Sequence, residues 1–366
     1  ICAVVAACGL MPTTGYAEDA AFDELDSESL AGMELSELLN LTVVSASKMA
    51  QSIQDAPSIV NVITEEQIRI RGYQSVGEAL RAIPGLAFVD NHQNLNVGVR
   101  GVFAESSAPS EIMKVMIDGQ PIAFRPTSSN SLGPELIPII VVSRIEVMRG
   151  PASALYGANA FLGVINVITK STAELRDGDD HLLQIAPRLH MLQAGVAPSL
   201  NGAGSMLAMG TVGEVSYTLA ATYSGTDRSG LTLPGLEDII QESFHRQDSD
   251  AFDAPLGYPT PGYVAERRSD YLRDPVSEND FARVASVYSS LRYDTSLGLF
   301  TVDGSFQYFD KHGEFLDYSA LTHKNRIAYS NQYVRVRHEI GQDDSGLTTS
   351  LAYAWGKPLS REAIYS

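Results

Sequence analysis

The chain has 366 residues, enough for two or more domains, and it is acidic: 44 Asp and Glu against 26 Lys and Arg give a net charge of −18. This balance argues against nucleic-acid binding, because a protein that binds phosphates needs a basic surface. No apolar run reaches the ~18 residues of a membrane-spanning helix, so any passage through a membrane would have to use strands closed into a barrel.

Residues 1–17 are predicted to be part of a signal peptide. Ile1 to Leu10 form a short apolar run, and Gly15-Tyr16-Ala17 fits a cleavage site of small residues. A lipoprotein cleavage box ending at Cys8 is an alternative. Both cysteines of the chain, Cys2 and Cys8, lie in this segment. The mature protein is therefore expected to contain neither a disulfide nor a thiolate metal site.

Residues 18–48 are predicted to be a flexible tail, because they are acidic and contain few large apolar residues. Near the end of this tail lies a short segment rich in β-branched residues. Such a stretch on a flexible tether can add as a strand to the edge of a partner's sheet, although a strand this short is common by itself. The segment comprises Leu41, Thr42, Val43, Val44, Ser45, Ala46 and Ser47.

Residues 49–171 are predicted to form an independent α+β domain. A strand over 58–64 runs into a capping box, with Thr64 as N-cap and Gln67 three residues later, which opens a helix ending at Gly72. Ser75 begins a second helix. An Asp118-Gly119 pair predicts a hairpin turn. Further strands of a mixed sheet are predicted at 86–89, 96–100, 115–117, 145–149 and 163–169, and residues 172–180 are predicted to be a linker.

The most specific pattern runs from Arg144 to Gly157, RIEVMRGPASALYG, and continues into residues 163–170, GVINVITK. Within it, Ser153 is predicted to cap a short helix. Two shorter segments, residues 99–101 (VRG) and 115–122 (VMIDGQPI), precede this run. Together these motifs resemble the plug domain of TonB-dependent outer-membrane receptors. The resemblance is close over about residues 36–171 and extends further only as a barrel-like pattern.

The resemblance implies an α+β plug domain followed by a truncated transmembrane antiparallel β-barrel, in the bacterial outer membrane, with the plug and tail facing the periplasm. The implied function is active uptake of a scarce ligand, a ferric siderophore first of all, with cobalamin, haem or a saccharide as alternatives. Residues 41–47 correspond to the TonB box, which binds TonB acting with ExbB and ExbD. Arg100 and Arg149 correspond to plug arginines that pair with barrel carboxylates and so latch the plug; two solvated surface arginines are the alternative.

Residues 181–366 alternate apolar and polar side chains, as strands with two different faces do. A soluble sandwich would give the same alternation. Long strands, aromatic residues near strand ends, and alternating short and long connections favour a membrane barrel, with the short turns at the periplasm and long loops such as 228–280 outside. About seven strands are predicted, against about 22 in transporters of this kind, so the barrel and the chain are expected to be incomplete.

No enzyme is expected, because the chain contains no GxSxG, HExxH or phosphate-loop motif. The histidines lack metal-ligand spacing, so no metal is predicted. No catalytic residue and no cofactor is predicted either. Ligand binding is expected on outward loops of the first domain, where Phe103, Phe124 and Arg125 are the candidates, because aromatic and cationic groups suit an anionic, planar chelate. Two other classes stay open: a signalling or adhesion receptor that does not transport, and a soluble secreted β-protein.

Overall fold

The structure is a computed structural model of the chain. It describes residues 42–43, 51–52, 59–90, 95–103, 112–122, 132–175, 180–192, 199–227, 281–312, 326–341 and 346–359. A five-stranded sheet with short helices is followed by a seven-stranded sheet, which confirms the predicted fold class of an α+β domain followed by antiparallel barrel strands. None of the helices in these ranges is long and apolar enough to cross a membrane.

The first half of the chain contains nine strands and three short helices within the described ranges. The helices are α1 (Glu65–Arg71), α2 (Val76–Leu80) and α3 (Ser153–Tyr156), and 3-10 turns lie at Ile139–Val141 and Thr172–Glu174. The strands are β1 (Thr42–Val43), β2 (Gln51–Ser52), β3 (Ile59–Thr64), β4 (Leu86–Asp90), β5 (Leu95–Val99), β6 (Met113–Ile117), β7 (Gln120–Pro121), β8 (Val142–Arg149) and β9 (Gly163–Thr169).

The α+β domain is built on a sheet of order β3-β8-β9-β6-β7. Only β6 and β9 are parallel, so the sheet is mixed, as predicted. Strands β4 and β5 form a separate hairpin. The helices and the inner face of the sheet enclose an apolar core that includes Ile63, Leu80, Ile117, Ile145 and Val167, each at most 5% exposed.

Local sequence rules explain the helix ends. The capping box is confirmed, since Gln67 N donates to Thr64 Oγ1 and Thr64 N donates to Gln67 Oε1, at 3.3 and 3.2 Å. Helix α1 ends at Gly72, which has the left-handed φ of 67°. The prediction that Ser153 caps α3 is wrong. Ala152 occupies the cap position, and Ser153 Oγ instead donates to the Ala160 carbonyl at 3.1 Å.

The second half of the chain is a seven-stranded antiparallel sheet, called the wall below. Each strand pairs with the next one along the chain, and each has 12 to 15 residues, long enough to span a bilayer at a tilt. The strands are β10 (His181–Leu192), β11 (Ser199–Val212), β12 (Val215–Asp227), β13 (Phe281–Thr295), β14 (Gly298–His312), β15 (Arg326–Ile340) and β16 (Leu347–Pro358).

The two faces of the wall have the reverse of the polarity found in a soluble sandwich. On β14, Val302 and Phe306 are 43% and 39% exposed, whereas Thr301, Asp303 and Gln307 are each 1% exposed. A sandwich would bury the apolar side of this alternation, but a barrel in lipid turns it outward. The same rule holds on β12, β13 and β15: Leu219, Tyr223, Leu291, Val334 and Val336 are exposed, and Thr218, Ser286, Ser290, Asn331 and Arg335 are buried.

Candidate functional site

The α+β domain packs against the polar face of the wall. Wall residues Leu207, Met209, Ala220, Tyr288 and Tyr333 belong to the same buried cluster as the core of the α+β domain. The contact surface between the two, called the seam, is therefore partly an apolar core. Buried polar groups with atoms that lack a hydrogen-bond partner, among them Glu135, Asp303 and Arg335, also lie along the seam.

The Asp118-Gly119 turn between β6 and β7 reaches the seam. Both residues have positive φ, 45° and 74°, as a tight hairpin turn requires, so the predicted turn is confirmed. The Asp118 carboxylate folds back onto the end of β9. Its Oδ1 accepts a hydrogen bond from Thr169 N at 2.9 Å, and its Oδ2 accepts one from Thr169 Oγ1 at 2.8 Å.

Two wall side chains also donate hydrogen bonds to this turn. Tyr288 OH, on β13, donates to Asp118 Oδ2 at 2.8 Å. Arg335, on β15, donates from Nη1 to the Asp118 carbonyl at 2.8 Å and from Nε to Asp303 Oδ1 at 3.0 Å. These side chains are called the Asp118 cluster: Asp118, Thr169, Tyr288, Asp303 and Arg335.

The wall residues of the Asp118 cluster are almost dry, whereas Asp118 itself is partly exposed. The side chains of Arg335 and Asp303 are 5% and 0% exposed, and Tyr288 is 2% exposed. Charges held at this depth are stable only when they are paired and hydrogen-bonded. Two polar atoms of the cluster, Asp303 Oδ2 and Arg335 Nη2, nevertheless find no hydrogen-bond partner within the described part of the chain, and neither does the hydroxyl of Tyr333.

A second set of bonds joins the wall to the segment 132–138. Ser286 Oγ donates to the Pro134 carbonyl at 2.8 Å, and Gln307 Nε2 donates to the Leu136 carbonyl at 2.7 Å. Between these two carbonyls lies Glu135, fully buried, with neither carboxylate oxygen hydrogen-bonded to any described residue. Gly133 makes room for it, since a Cβ at that position would lie 2.4 Å from Glu135 Oε2.

One titratable group away from the wall has a shifted pKa. Burial raises the pKa of the Tyr156 phenol to about 12, and the nearby Glu146 carboxylate contributes in the same direction. Glu146 is itself fully buried and forms an ion pair with Arg144 Nε at 2.8 Å. Tyr156 therefore stays neutral at physiological pH, and it packs on the apolar cluster formed by β6, β8 and β9.

The predicted latch arginines meet at one turn. Arg149 Nη1 donates to the Pro84 carbonyl, and the backbone N–H of Arg100 donates to the Gly85 carbonyl at 3.0 Å. Gly85 has a φ of 83°, which favours glycine, and a Cβ there would lie 2.7 Å from Arg149 Nη1, so the guanidinium would have to shift. Within the described ranges neither arginine forms an ion pair, and the role of Arg100 and Arg149 as a latch stays a prediction.

The other predicted site residues are described only in part. Phe103 is 39% exposed and lies against Gly98 of β5, whereas Phe124 and Arg125 lie outside the described residues. Of the segment 41–47, Thr42 and Val43 form β1, which pairs with β2. Leu41, Val44, Ser45, Ala46 and Ser47 lie outside the described residues.

Among the residues that the structure describes, no group of three or more His, Cys, Asp or Glu side chains could hold a metal ion. The Asp118 cluster has two carboxylates, but Arg335 lies between them and donates to both residues. The arrangement is therefore suited to holding two parts of a protein together and not to binding a cation.

Comparison with known proteins identifies the α+β domain. Residues 52–164 match the family model described as TonB-dependent Receptor Plug Domain. An iron-regulated outer membrane virulence protein of Vibrio cholerae is 36% identical over 145 residues, which are 38% of this chain and 21% of that protein. The vitamin B12 transporter BtuB of the same species is 26% identical over 317 residues, covering 80% of this chain and 48% of the transporter.

Solved structures show the same architecture. The crystal structure of a mutant ferric enterobactin receptor from Pseudomonas aeruginosa superposes with a TM-score of 0.55, covering 86% of this chain and 42% of that one, at 19% identity. At this identity the likeness concerns the fold alone. The chain spans between about one fifth and one half of the lengths of these three proteins.

Proposed function

We propose that this chain, whose residues 52–164 match the plug domain of TonB-dependent receptors, serves the energy-dependent uptake of a scarce ligand, a ferric siderophore first of all. In this proposal residues 49–171 are the plug, residues 172–180 are a linker, and residues 181–366 belong to the barrel. The function is transport and not catalysis, which is consistent with relatives that are receptors and a transporter.

The proposal rests on the polarity of the two faces of the wall and on the hydrogen bonds between its polar face and the plug. The wall strands β12 to β15 expose a row of apolar side chains and bury a row of polar ones, and the polar face bonds to the plug through the Asp118 cluster and the segment 132–138. A barrel of this kind would be sealed by its own plug. A sealed pore admits a ligand only when the plug moves, and moving it requires work.

The tail is proposed to deliver that work through TonB, acting with ExbB and ExbD. The segment 41–47 would bind TonB by adding a strand to the edge of its sheet. The backbone of Thr42 and Val43 already pairs as a strand with β2, and this supports the proposal because the segment can adopt the required conformation.

Two ligand classes have support among the relatives. Iron chelates are favoured by a relative named iron-regulated. Cobalamin is favoured by the vitamin B12 transporter, whose match covers more of this chain. We propose Phe103, Phe124 and Arg125 as ligand-binding residues on the outward plug loops, on the chemical grounds that aromatic and cationic groups suit an anionic chelate.

Uptake assays in a deletion strain test the proposal. The strain carrying the gene on a plasmid would receive ⁵⁵Fe-labelled catecholate and hydroxamate siderophores and ⁵⁷Co-labelled cobalamin, each with and without a functional TonB. We expect one probe to accumulate only when both the receptor and TonB are present. Binding without TonB-dependent accumulation would favour the non-transporting receptor. Neither binding nor accumulation of any probe would refute both ligand classes.

A further inference from the structure

Two cavities lie one after the other along the first two strands of the wall. The larger, called the rim cavity, has a volume of about 570 Å³ and is lined by Arg188, Asn201 and Ala203 among other residues. The smaller, called the α1 cavity, has a volume of about 280 Å³, lies between helix α1 and the strands β10 and β11, and is lined by Gln184, Arg188 and Ser205 among others. Arg188 lines both, so it lies where the two cavities meet.

The strand register places this junction on the plug side of the wall. Side chains alternate between the two faces of a strand, and direct register partners share a face. Leu207 of β11 is buried in the same cluster as the plug core, so Ala203 and Asn201, at even spacings before it, face the same way. Arg188 is the register partner of Ala203. Its side chain therefore starts from the face that the plug covers.

Two donor groups at the junction have no acceptor in the described part of the chain. Arg188 is exposed, and its guanidinium forms no ion pair with any described residue. Asn201 is 1% exposed, and its Oδ1 accepts a hydrogen bond from Asp227 N at 2.6 Å. The Nδ2 of Asn201 finds no partner. A buried donor without an acceptor is unfavourable, so a ligand that provides acceptor oxygens is stabilised here.

The charges on the plug side favour a negative ligand, although the whole chain carries a net charge of −18. The α1 cavity is lined by three cationic side chains against one carboxylate, Glu65, which already pairs with Lys170 Nζ at 2.6 Å. Asp227 and Arg283 also line the rim cavity, but the alternation of β12 and β13 places both side chains on the other face. Arg188 is therefore a cation without a neutralising carboxylate among the described residues.

We propose that Arg188 and Asn201 form a binding site for an oxygen-bearing anion on the plug side of the wall, where the rim cavity meets the α1 cavity. The inference rests on the proposed function for the source of that anion, an iron chelate with negatively charged oxygens. The planar guanidinium of Arg188 binds two such oxygens side by side, and Nδ2 of Asn201 donates to one of them.

The site discriminates between cargoes by their charge. A ferric tricatecholate is a trianion, whereas a neutral ferric trihydroxamate and cobalamin carry no net negative charge. Hydrogen bonds to a charged acceptor are roughly twice as strong as those to a neutral one. We therefore expect Arg188 and Asn201 to contribute to the binding of the tricatecholate and to make little difference to the other two.

The charge of the site can be measured without any cargo, on the receptor as the cell makes it. Ala203→Cys places a thiol opposite Arg188, in a chain whose two cysteines precede residue 18. Relative to their rates with a free thiol, an anionic methanethiosulfonate should label this position at least about tenfold faster than a cationic one, because a positive site concentrates anions. Arg188→Gln should abolish the preference. Arg292→Gln, which removes a cation at the far end of the same face, is the matched control and should preserve it.

Binding of a ⁵⁵Fe-labelled tricatecholate to the purified receptor tests the ligand. Asn201→Asp keeps the oxygen that accepts from Asp227 N but replaces the free donor with a negative oxygen. Arg188→Gln and Asn201→Asp should each weaken binding at least about tenfold, because each removes a charge-assisted or buried hydrogen bond. Binding of the neutral trihydroxamate and of cobalamin should not change in either variant.

Inorganic phosphate is included in the labelling experiment, because a free anion presents the same kind of oxygens. At equal concentration the ferric tricatecholate should slow labelling by the anionic reagent, and phosphate should not. Equal protection by phosphate would assign the site to the free anion and overturn its assignment to cargo.

The site and the transport function can fail separately. Labelling without a preference that depends on Arg188 would overturn the site, whatever the receptor transports. So would unchanged tricatecholate binding in both variants, provided that they show the same heat-modifiable gel migration as the parent. If the unmodified receptor takes up none of the labelled siderophores or cobalamin but the preference depends on Arg188, the transport function fails and the anion site stands.

Discussion

The ion pair between Arg335 and Asp303 provides the sharpest energetic prediction. Both side chains are buried, and Arg335 Nη1 also donates to the Asp118 carbonyl. Asp303→Leu leaves the guanidinium buried without its partner, and Arg335→Met leaves the carboxylate in the same state. Removing one member of such a pair typically costs about 3–5 kcal/mol, because the other charge remains desolvated. We therefore expect each single variant to lower the free energy of unfolding by that amount.

The double variant separates desolvation from simple loss of contacts. Asp303→Leu with Arg335→Met removes both charges together, so its cost should be far below the sum of the two single costs. The matched control is the exposed pair of Glu66 and Arg69, whose atoms lie 4.0 Å apart with side chains 63% and 72% exposed. Glu66→Ala should cost under about 1 kcal/mol.

Urea unfolding in detergent micelles, followed by heat-modifiable gel migration, measures these differences. If either single variant lowers the free energy of unfolding by no more than Glu66→Ala does, the buried pair is not worth the predicted energy. If the double variant lowers it by as much as the two single variants added together, the loss comes from packing and not from an unpaired charge.

Three further predictions concern other parts of the chain. Val43→Pro removes a backbone donor from the segment proposed to bind TonB, so ligand binding should persist while uptake fails; normal uptake would show that residues 41–47 do not bind TonB. Arg100→Ala with Arg149→Ala should loosen the plug, and unchanged sensitivity to large antibiotics would leave both as surface charges. Tyr156 has its pKa raised to about 12 in the fold from 10.0, so the stability it contributes is complete below pH 10 and is lost as the pH rises through 12. Denaturant unfolding of residues 49–171 from pH 9 to 12 should show that loss, and Tyr156→Phe should reduce it.

The parts of the fold that follow from neighbouring residues were predictable. The capping box of α1, the Asp118-Gly119 turn and the strand at 163–169 each depend on residues within one element, and all three are confirmed. The error at Ser153 is of the same local kind, because a hydroxyl near a helix start can bond to another carbonyl instead. The alternation of the wall was also visible, and the membrane barrel that it favoured turns the apolar face outward, as Val302 and Phe306 of β14 do.

The Asp118 cluster could not be predicted, because it depends on registers between distant segments. Asp303 and Arg335 are direct partners of β14 and β15, but the long connection between those strands, residues 313–325, leaves the register open in the sequence. The tight turn at Ser296-Leu297 does constrain the register of β13 and β14. Docking of the Asp118 turn onto Tyr288 requires packing of two domains, for which no local pattern exists.

A sheet that buries Asp303 and exposes Val302 cannot reach its native state by collapse in water, because collapse would bury the opposite face. The plug obeys the usual rule, with an apolar core of its own. The two halves of one chain therefore need different solvents to fold. The second half is expected to fold only where lipid takes up its apolar face.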